Sequence, residues 1–235
     1  MANRFQRLEL LVGSRGLAKL RSSSVLVLGI GGVGSYVVEA LTRSAIGRLI
    51  LVDMDVVDIT NFNRQLHSTD LTLGKLKVEV MRERILTINP DCLVEIAPLF
   101  YEEKDNEQLF AYRPDYIVDA IDTLPSKIAV IKEAVKRGIP IVSSMGAANK
   151  FDPSKFVITD ISKTHTDPVA KVVRKHLREA GIYRGVPVAF SPEQPIKVED
   201  VAKGESRLGS TAFVPPAAGL VIASKVVRDL LEQER

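Results

Sequence analysis

A chain of 235 residues, 46% hydrophobic and 26% charged with a net charge of +3, has enough apolar side chain for one substantial core. That charge is too small to mark a nucleic-acid binder by itself, so its distribution matters more than its sum. The longest apolar run, residues 212–227, holds Pro215, Pro216 and Lys225 and falls short of the roughly 20 apolar residues of a membrane span; the start "MANRFQRLELLVGSRG" reads as a short amphipathic helix without the apolar stretch of a secretory signal, so no membrane contact and a cytoplasmic location are expected.

From residue 24 to about 144, apolar runs alternate with helix-period segments. They are "SVLVLGI", "GSYVVEALTRSA", "RLILVDMD", "KLKVEVMRERILTI", "CLVEIAPLF", "NEQLFAY", "DYIVDAID", "SKIAVIKEAVKRG" and "PIVSSMG". This alternation predicts an α/β fold, a parallel sheet with helices on both faces. Past residue 150 the rhythm changes. "KFVITDIS" and "VPVAFS" read as strands, "DPVAKVVRKHLREAG" as a helix ended by Gly181, and "PPAAGLVIASKVVRDLLEQ" as a closing helix. Between the last two, "SPEQPIKVEDVAKGESRLGS" is polar and aperiodic, a loop or lid. The expected organisation is a single domain, residues 22–150 forming the nucleotide-binding core and 151–235 an extension of two strands and helices. Cys92, the single cysteine, excludes an internal disulfide and any zinc site of paired Cys-x-x-Cys, and reads as a small buried hydrophobe.

"VLVLGIGGVGSYVVEA" sets Gly29, Gly31 and Gly34 at G-x-G-x-x-G spacing between a strand and a helix, with Gly32 as an additional glycine. Such a loop turns tightly, lets backbone approach a phosphate and aims the positive end of a helix at it. The next strand ends in "LILVDMD", placing Asp53, followed by Asp55, at the offset where an acid accepts hydrogen bonds from ribose hydroxyls. Together they predict a Rossmann-like, doubly wound, mainly parallel sheet that binds a nucleotide. Neither feature separates NAD from ATP, so an NAD-dependent oxidoreductase and a non-catalytic nucleotide-binding module remain open here.

The following stretch, "NFNRQLHSTDLTLGKLKVE", adds Asn61, Arg64, Gln65, Lys75 and Lys77. A dinucleotide can be held by backbone amides alone, whereas attack on a phosphoryl group builds charge that fixed cations stabilise more in the transition state than in the ground state. Arg64 and Lys77 are therefore the expected catalytic cations. Lys75 reads as solvated, and Asn61 and Gln65 as neutral groups that orient a phosphate or the loop itself. Taken singly, Arg64 is an ordinary surface salt bridge and Lys77 an ordinary helix charge; their company gives them weight. Asp122, at the end of "YIVDAID", reaches the same carboxyl edge of a parallel sheet and is a candidate Mg2+ ligand, its plain alternative being a helix cap. Asp119 lies deeper and is not chosen.

"GIGGVG", "DMDVVDITNFNRQLH", "GKLKVEVMRERILTINPDC" and "DAIDT" resemble the adenylating superfamily of ubiquitin-activating enzymes and sulfur-carrier activators, over roughly residues 4 to 145. "SSMGAANKFDPSKF", "DISKTHTDPVAKVVRKHLREAGI" and "GSTAFVPPAAGLVIAS" extend the resemblance to one branch, the tRNA threonylcarbamoyladenosine dehydratases. The resemblance implies ATP and Mg2+, with Asp53 on the ribose, Asn61, Arg64 and Lys77 around the phosphates and Asp122 on the metal. It also implies a homodimer in which Arg7 reaches the other copy's site. The activity it implies is adenylation of the threonyl carboxylate of threonylcarbamoyladenosine in the tRNA anticodon loop, followed by cyclisation. An activator of a small ubiquitin-like or sulfur-carrier protein is the alternative, disfavoured by the missing cysteines. No cysteine stands in "LGSTAFVPP", so no sulfur-transfer partner is expected.

A tRNA partner is also expected from charge. Lys171, Arg174, Lys175 and Arg178 recur at helical spacing on one face, with Val169, Val172, Val173, Leu177 and Ala180 on the other. Residues 163–184 hold six Lys/Arg against Asp167 and Glu179, a local excess of +4. A merely solvated helix face is the plain alternative to a phosphate-binding one. His165 and His176 read as surface residues, and His67 as a weak candidate for a substrate contact.

Overall fold

The computed structural model describes residues 4–197 and 208–232; the centre of the polar connection expected at 191–210 lies outside the described residues. In chain order the elements are α1 (Gln6–Ser22), β1 (Ser24–Leu28), α2 (Gly34–Arg43), β2 (Arg48–Val52), α3 (Lys77–Ile88), β3 (Leu93–Ala97), α4 (Asn106–Phe110), β4 (Tyr116–Asp119), α5 (Leu124–Arg137), β5 (Ile141–Ser144), β6 (Val157–Asp160), α6 (Pro168–Glu179), β7 (Pro187–Phe190) and α7 (Val214–Glu232).

One seven-stranded sheet runs in the order β3-β2-β1-β4-β5-β7-β6. Every neighbouring pair is parallel except β6 with β7. The doubly wound expectation therefore holds, and the two strands of the extension join the same sheet, with β6 closing its edge antiparallel.

Strands β1, β2 and β4 are almost wholly buried because both of their faces are covered. Val25, Val27, Leu49, Leu51 and Val118 pack beneath α2, α3 and α7, while Leu26, Leu28, Ile50 and Ile117 pack beneath α5 and α6. Because period-2 alternation sends successive residues to opposite layers, each run of Val, Ile and Leu feeds two cores at once. Gly13 interrupts α1 with a left-handed backbone at φ 74°, so the amphipathic start is two helical pieces rather than one. α5 ends at Gly138 with φ 68°, an αL cap that also lets Ile139 turn into β5. Cys92 is buried and its thiol is pushed up to about 11 by desolvation, in keeping with a packing role. Among the described residues no helix is long and apolar enough to cross a membrane.

Candidate active site

The carboxyl ends of β1, β2, β4 and β5 open into one cleft of about 540 Å³. Its floor is the glycine loop. Gly29 has φ 83°, and a Cβ there would meet the Ala120 carbonyl oxygen at 2.7 Å; a Cβ on Gly34 would fall 1.8 Å from the Gly29 oxygen. Only glycine allows α2 to start this close to the sheet. No side chain caps α2, whose N-cap residue is Val33; the Ser35 and Tyr36 amides donate to the Gly31 and Val33 carbonyls at 3.0 and 3.2 Å, so an anion here would meet the positive end of the helix through the glycine-loop amides that precede them.

Asp53 ties the next strand to that loop. One carboxylate oxygen accepts from the Ile30 amide at 2.6 Å and the other from the Asp55 amide at 2.8 Å. Burial raises its pKa, and these two bonds and nearby Lys77 oppose the rise. Each oxygen keeps a lone pair for a further donor.

Residues 55–57 and 74–77 run side by side. Val57 N–H donates to the Lys75 carbonyl at 2.8 Å, Lys77 N–H to the Asp55 carbonyl at 3.0 Å, and Val56 bridges Leu76. This pairing brings Lys77, at the first turn of α3, back to the end of β2. Its ammonium lies 2.7 Å from Asp55, with the lysine side chain 6% exposed and the aspartate 63%. Lys75 is exposed, as expected.

Between these arms, Asp58 caps the short turn at 59–61, and its own amide donates to the Asn61 side-chain oxygen at 3.1 Å. Of the two roles expected for Asn61, its oxygen thus performs the orienting of the loop. The turn sets Arg64 at the cleft wall, its guanidinium donating to the Thr60 carbonyl at 2.9 Å and to the Asn63 side chain at 3.0 Å. Gln65 is buried over Gly31, and its Oε1 has no hydrogen-bond partner among the described residues.

Asp122 is exposed on the cleft wall, and its one hydrogen bond among the described residues is a 3.4 Å contact from the Thr123 hydroxyl. The N-cap residue of α5 is Thr123 and no side chain caps the helix, which sets aside the helix-cap alternative for Asp122. Asp119 is fully buried instead, with Lys127 at 2.7 Å and the Ser143 hydroxyl donating to it.

The structure thus brings Gly29, Gly31, Gly32, Asp53, Asp55, Asn61, Arg64, Gln65, Lys77 and Asp122 into one cleft. Arg7 stands apart, exposed on α1 and absent from the lining of its own chain's cleft. His67 is buried with neither ring nitrogen partnered among the described residues and its pKa pushed down to about 4 by desolvation; it does not line the cleft, so the substrate contact considered for it is not supported.

The basic helix needs correction in detail. Lys171, Lys175 and Arg178 are exposed on α6, but Arg174 is half-buried and its guanidinium donates to the Thr164 carbonyl at 2.9 Å and to the Thr164 hydroxyl. Lys175 has Glu179 at 3.9 Å. Ala170, Val173 and Leu177 form the buried face, while Ala180 is exposed.

Sequence reading missed a second buried pair. Lys150 donates to Asp167 at 2.6 Å, to the Gly146 carbonyl at 2.7 Å and to the Ser191 carbonyl at 3.2 Å, and Asp167 caps α6 through the Ala170 amide at 2.9 Å. Both residues line the far end of the cleft.

A ThiF family model matches residues 5–234. The chain belongs to the ThiF family. The tRNA threonylcarbamoyladenosine dehydratase of Bacillus subtilis (strain 168) is 53% identical to it over 244 residues, covering 99% of this chain and 96% of that protein. The crystal structure of E. coli tRNA N6-threonylcarbamoyladenosine dehydratase in complex with AMP superposes with a TM-score of 0.92 at 34% identity, covering 98% of this chain and 95% of the other. The ATP complex of the same E. coli protein gives a TM-score of 0.91 with the same coverage.

Proposed function

We propose that this chain is an ATP-dependent tRNA threonylcarbamoyladenosine dehydratase. The observation that carries the reading is the convergence of Arg64 and Lys77 on the cleft floored by the glycine loop and Asp53. The names and nucleotide complexes of its full-length relatives support it.

The glycine loop and the α2 N-terminus hold the phosphates, and Asp53 holds the ribose. A threonyl carboxylate oxygen attacks the α-phosphorus while the bond to pyrophosphate breaks. Arg64 and Lys77 stabilise the charge that grows on the phosphoryl oxygens and the leaving pyrophosphate. The neighbouring carbamoyl group then attacks the activated acyl carbon, releasing AMP and a proton. One carboxylate oxygen departs on AMP, so the nucleoside loses one water overall. Asp122, an exposed carboxylate on the cleft wall with a long hydrogen bond, is the residue that would hold a magnesium ion, which would supply charge neutralisation at the phosphates.

The exposed Leu10 and Leu11 beside Arg7 on α1 support a homodimer in which each copy lends Arg7 to the other. The enzyme works in the cytoplasm as one catalytic unit, with the exposed face of α6 in the 151–235 extension turned to tRNA.

Incubation with ATP, magnesium and modified tRNA, followed by mass spectrometry of the digested nucleosides, is expected to show loss of one water. With 18O in the threonyl carboxylate, label is expected in AMP. Unlabelled AMP, or an unchanged nucleoside, overturns the proposal.

Lys171→Glu combined with Arg178→Glu is expected to weaken tRNA binding while sparing ATP binding, and to reduce the salt slope of tRNA affinity by about one for each phosphate the helix no longer neutralises. An unchanged slope removes α6 from the interface. Arg174 is left out of this test because it is engaged with Thr164.

A further inference from the structure

We infer that Phe151 and Phe213 form a stacking platform for the modified adenine, held out of the anticodon loop at the mouth of the cleft. This rests on the tRNA-modifying activity proposed for the same cleft. The rings meet edge to face, centroids 5.2 Å apart and planes at 84°, yet Phe151 is 62% exposed and Phe213 42%. Neither is part of the buried core clusters. An edge-to-face pair leaves ring faces open, and open aromatic faces bind unstacked bases.

Both rings stand on backbone that is fixed to the site. Lys150, immediately before Phe151, is anchored by its three hydrogen bonds. The amides of Phe151 and Asp152 donate to the two Glu193 carboxylate oxygens at 2.8 and 3.0 Å. On the other side, Asn149 exchanges bonds with Gly209 at 2.8 and 2.6 Å, and the Ser210 carbonyl accepts from Asn63 at 3.1 Å, next to Arg64. Phe213 therefore lies between Ser210, tied to the phosphate-side turn, and Pro215, whose side chain packs 3.2 Å from where a Gly32 Cβ would sit. Asn149, Lys150, Ser210 and Pro215 line the cleft and the two rings themselves do not, so the pair stands just outside it on residues that adjoin its lining.

Chemistry asks for such a platform. The threonylcarbamoyl arm can enter the cleft only if its adenine leaves the stack of the loop, and the stacking given up there must be replaced. Charge supports the same occupant. Asp167, which holds Lys150 next to Phe151, is also the cap of α6, the helix that carries the exposed Lys171 and Arg178. Stacking is tolerant of substitution among aromatics, and its strength does not scale with salt as phosphate binding does.

The test compares Phe151→Ala, Phe213→Ala and Phe151→Trp with the parent on three substrates: modified tRNA, the free threonylcarbamoyladenosine nucleoside, and N-carbamoylthreonine, which has the arm without the base. Each alanine variant is expected to lose about 10- to 100-fold in kcat/KM on tRNA and on the nucleoside, through KM. Affinity for ATP and the residual reaction of N-carbamoylthreonine are expected to be unchanged. Phe151→Trp is expected to retain parental kcat/KM. Alanine variants that stay within about twofold of the parent on both base-containing substrates overturn the inference. So does an equal loss on N-carbamoylthreonine, or a loss of activity that tracks a change of oligomeric state in sedimentation velocity, since the pair would then be packing or a contact between copies. A parent that dehydrates neither tRNA nor nucleoside defeats the underlying functional reading instead, and the two failures are distinguishable.

Discussion

Arg64→Ala and Lys77→Met are each expected to slow tRNA-dependent exchange between ATP and pyrophosphate by about 10²- to 10³-fold, the usual loss when one preorganised donor is removed from a developing anion. Neither change should unfold the chain. The Arg64 guanidinium donates to the Thr60 carbonyl and the Asn63 side chain, both on its own turn. The partner of Lys77 is Asp55, exposed enough for solvent to screen what remains, so the pair contributes at most about 1 kcal/mol. Methionine keeps the volume of the buried lysine stem at the start of α3. The loss should therefore fall on kcat, with ATP affinity changing much less, because cations that act on the transition state add little to ground-state binding. If both residues serve the same phosphoryl charge, the double variant loses less than the product of the singles. Turnover within about threefold of the parent in both single variants would show that these cations do not act on the transferred phosphoryl group.

The site was legible where its chemistry is local in sequence. The glycine loop, Asp53 and the 61–77 segment are consecutive pieces of one nucleotide-binding unit, and the parallel sheet sends them all to one edge. Residues that act through tertiary crossings were not legible. Nothing in "GAANK" distinguishes Lys150 from a surface lysine; its burial comes from β5, the chain just past β7 and the α6 cap meeting around it. Arg174 shows the converse. Helical period places it on the outer face, but period alone is blind to the 161–164 turn that folds back beneath its guanidinium. Strands β6 and β7 were readable as strands, while their antiparallel pairing at the edge of the main sheet, where α7 packs on both, is a tertiary arrangement that no window of sequence displays.

Asp167→Asn is expected to lower the unfolding free energy by about 3–5 kcal/mol. Lys150 and Asp167 have side chains 1% and 0% exposed, so solvent cannot rescue the ammonium once the carboxylate charge is gone. Asparagine retains an oxygen for the Ala170 amide, so the α6 cap survives and the loss reports the unpaired charge alone. For a chain of this size the change corresponds to a melting temperature lower by roughly 6–20 °C. Restoring electrical balance by adding Lys150→Met should recover most of that deficit, since a buried pair replaced as a whole costs far less than one broken in half. Because Asp167, Pro168 and Val169 line the cleft, the single variant should also lose tRNA turnover at temperatures where it is still folded, and the double variant should regain stability before it regains activity. A melting temperature within about 2 °C of the parent for Asp167→Asn would mean that the Lys150 charge is satisfied by the Gly146 and Ser191 carbonyls alone, and that the pair does not hold α6 against the cleft.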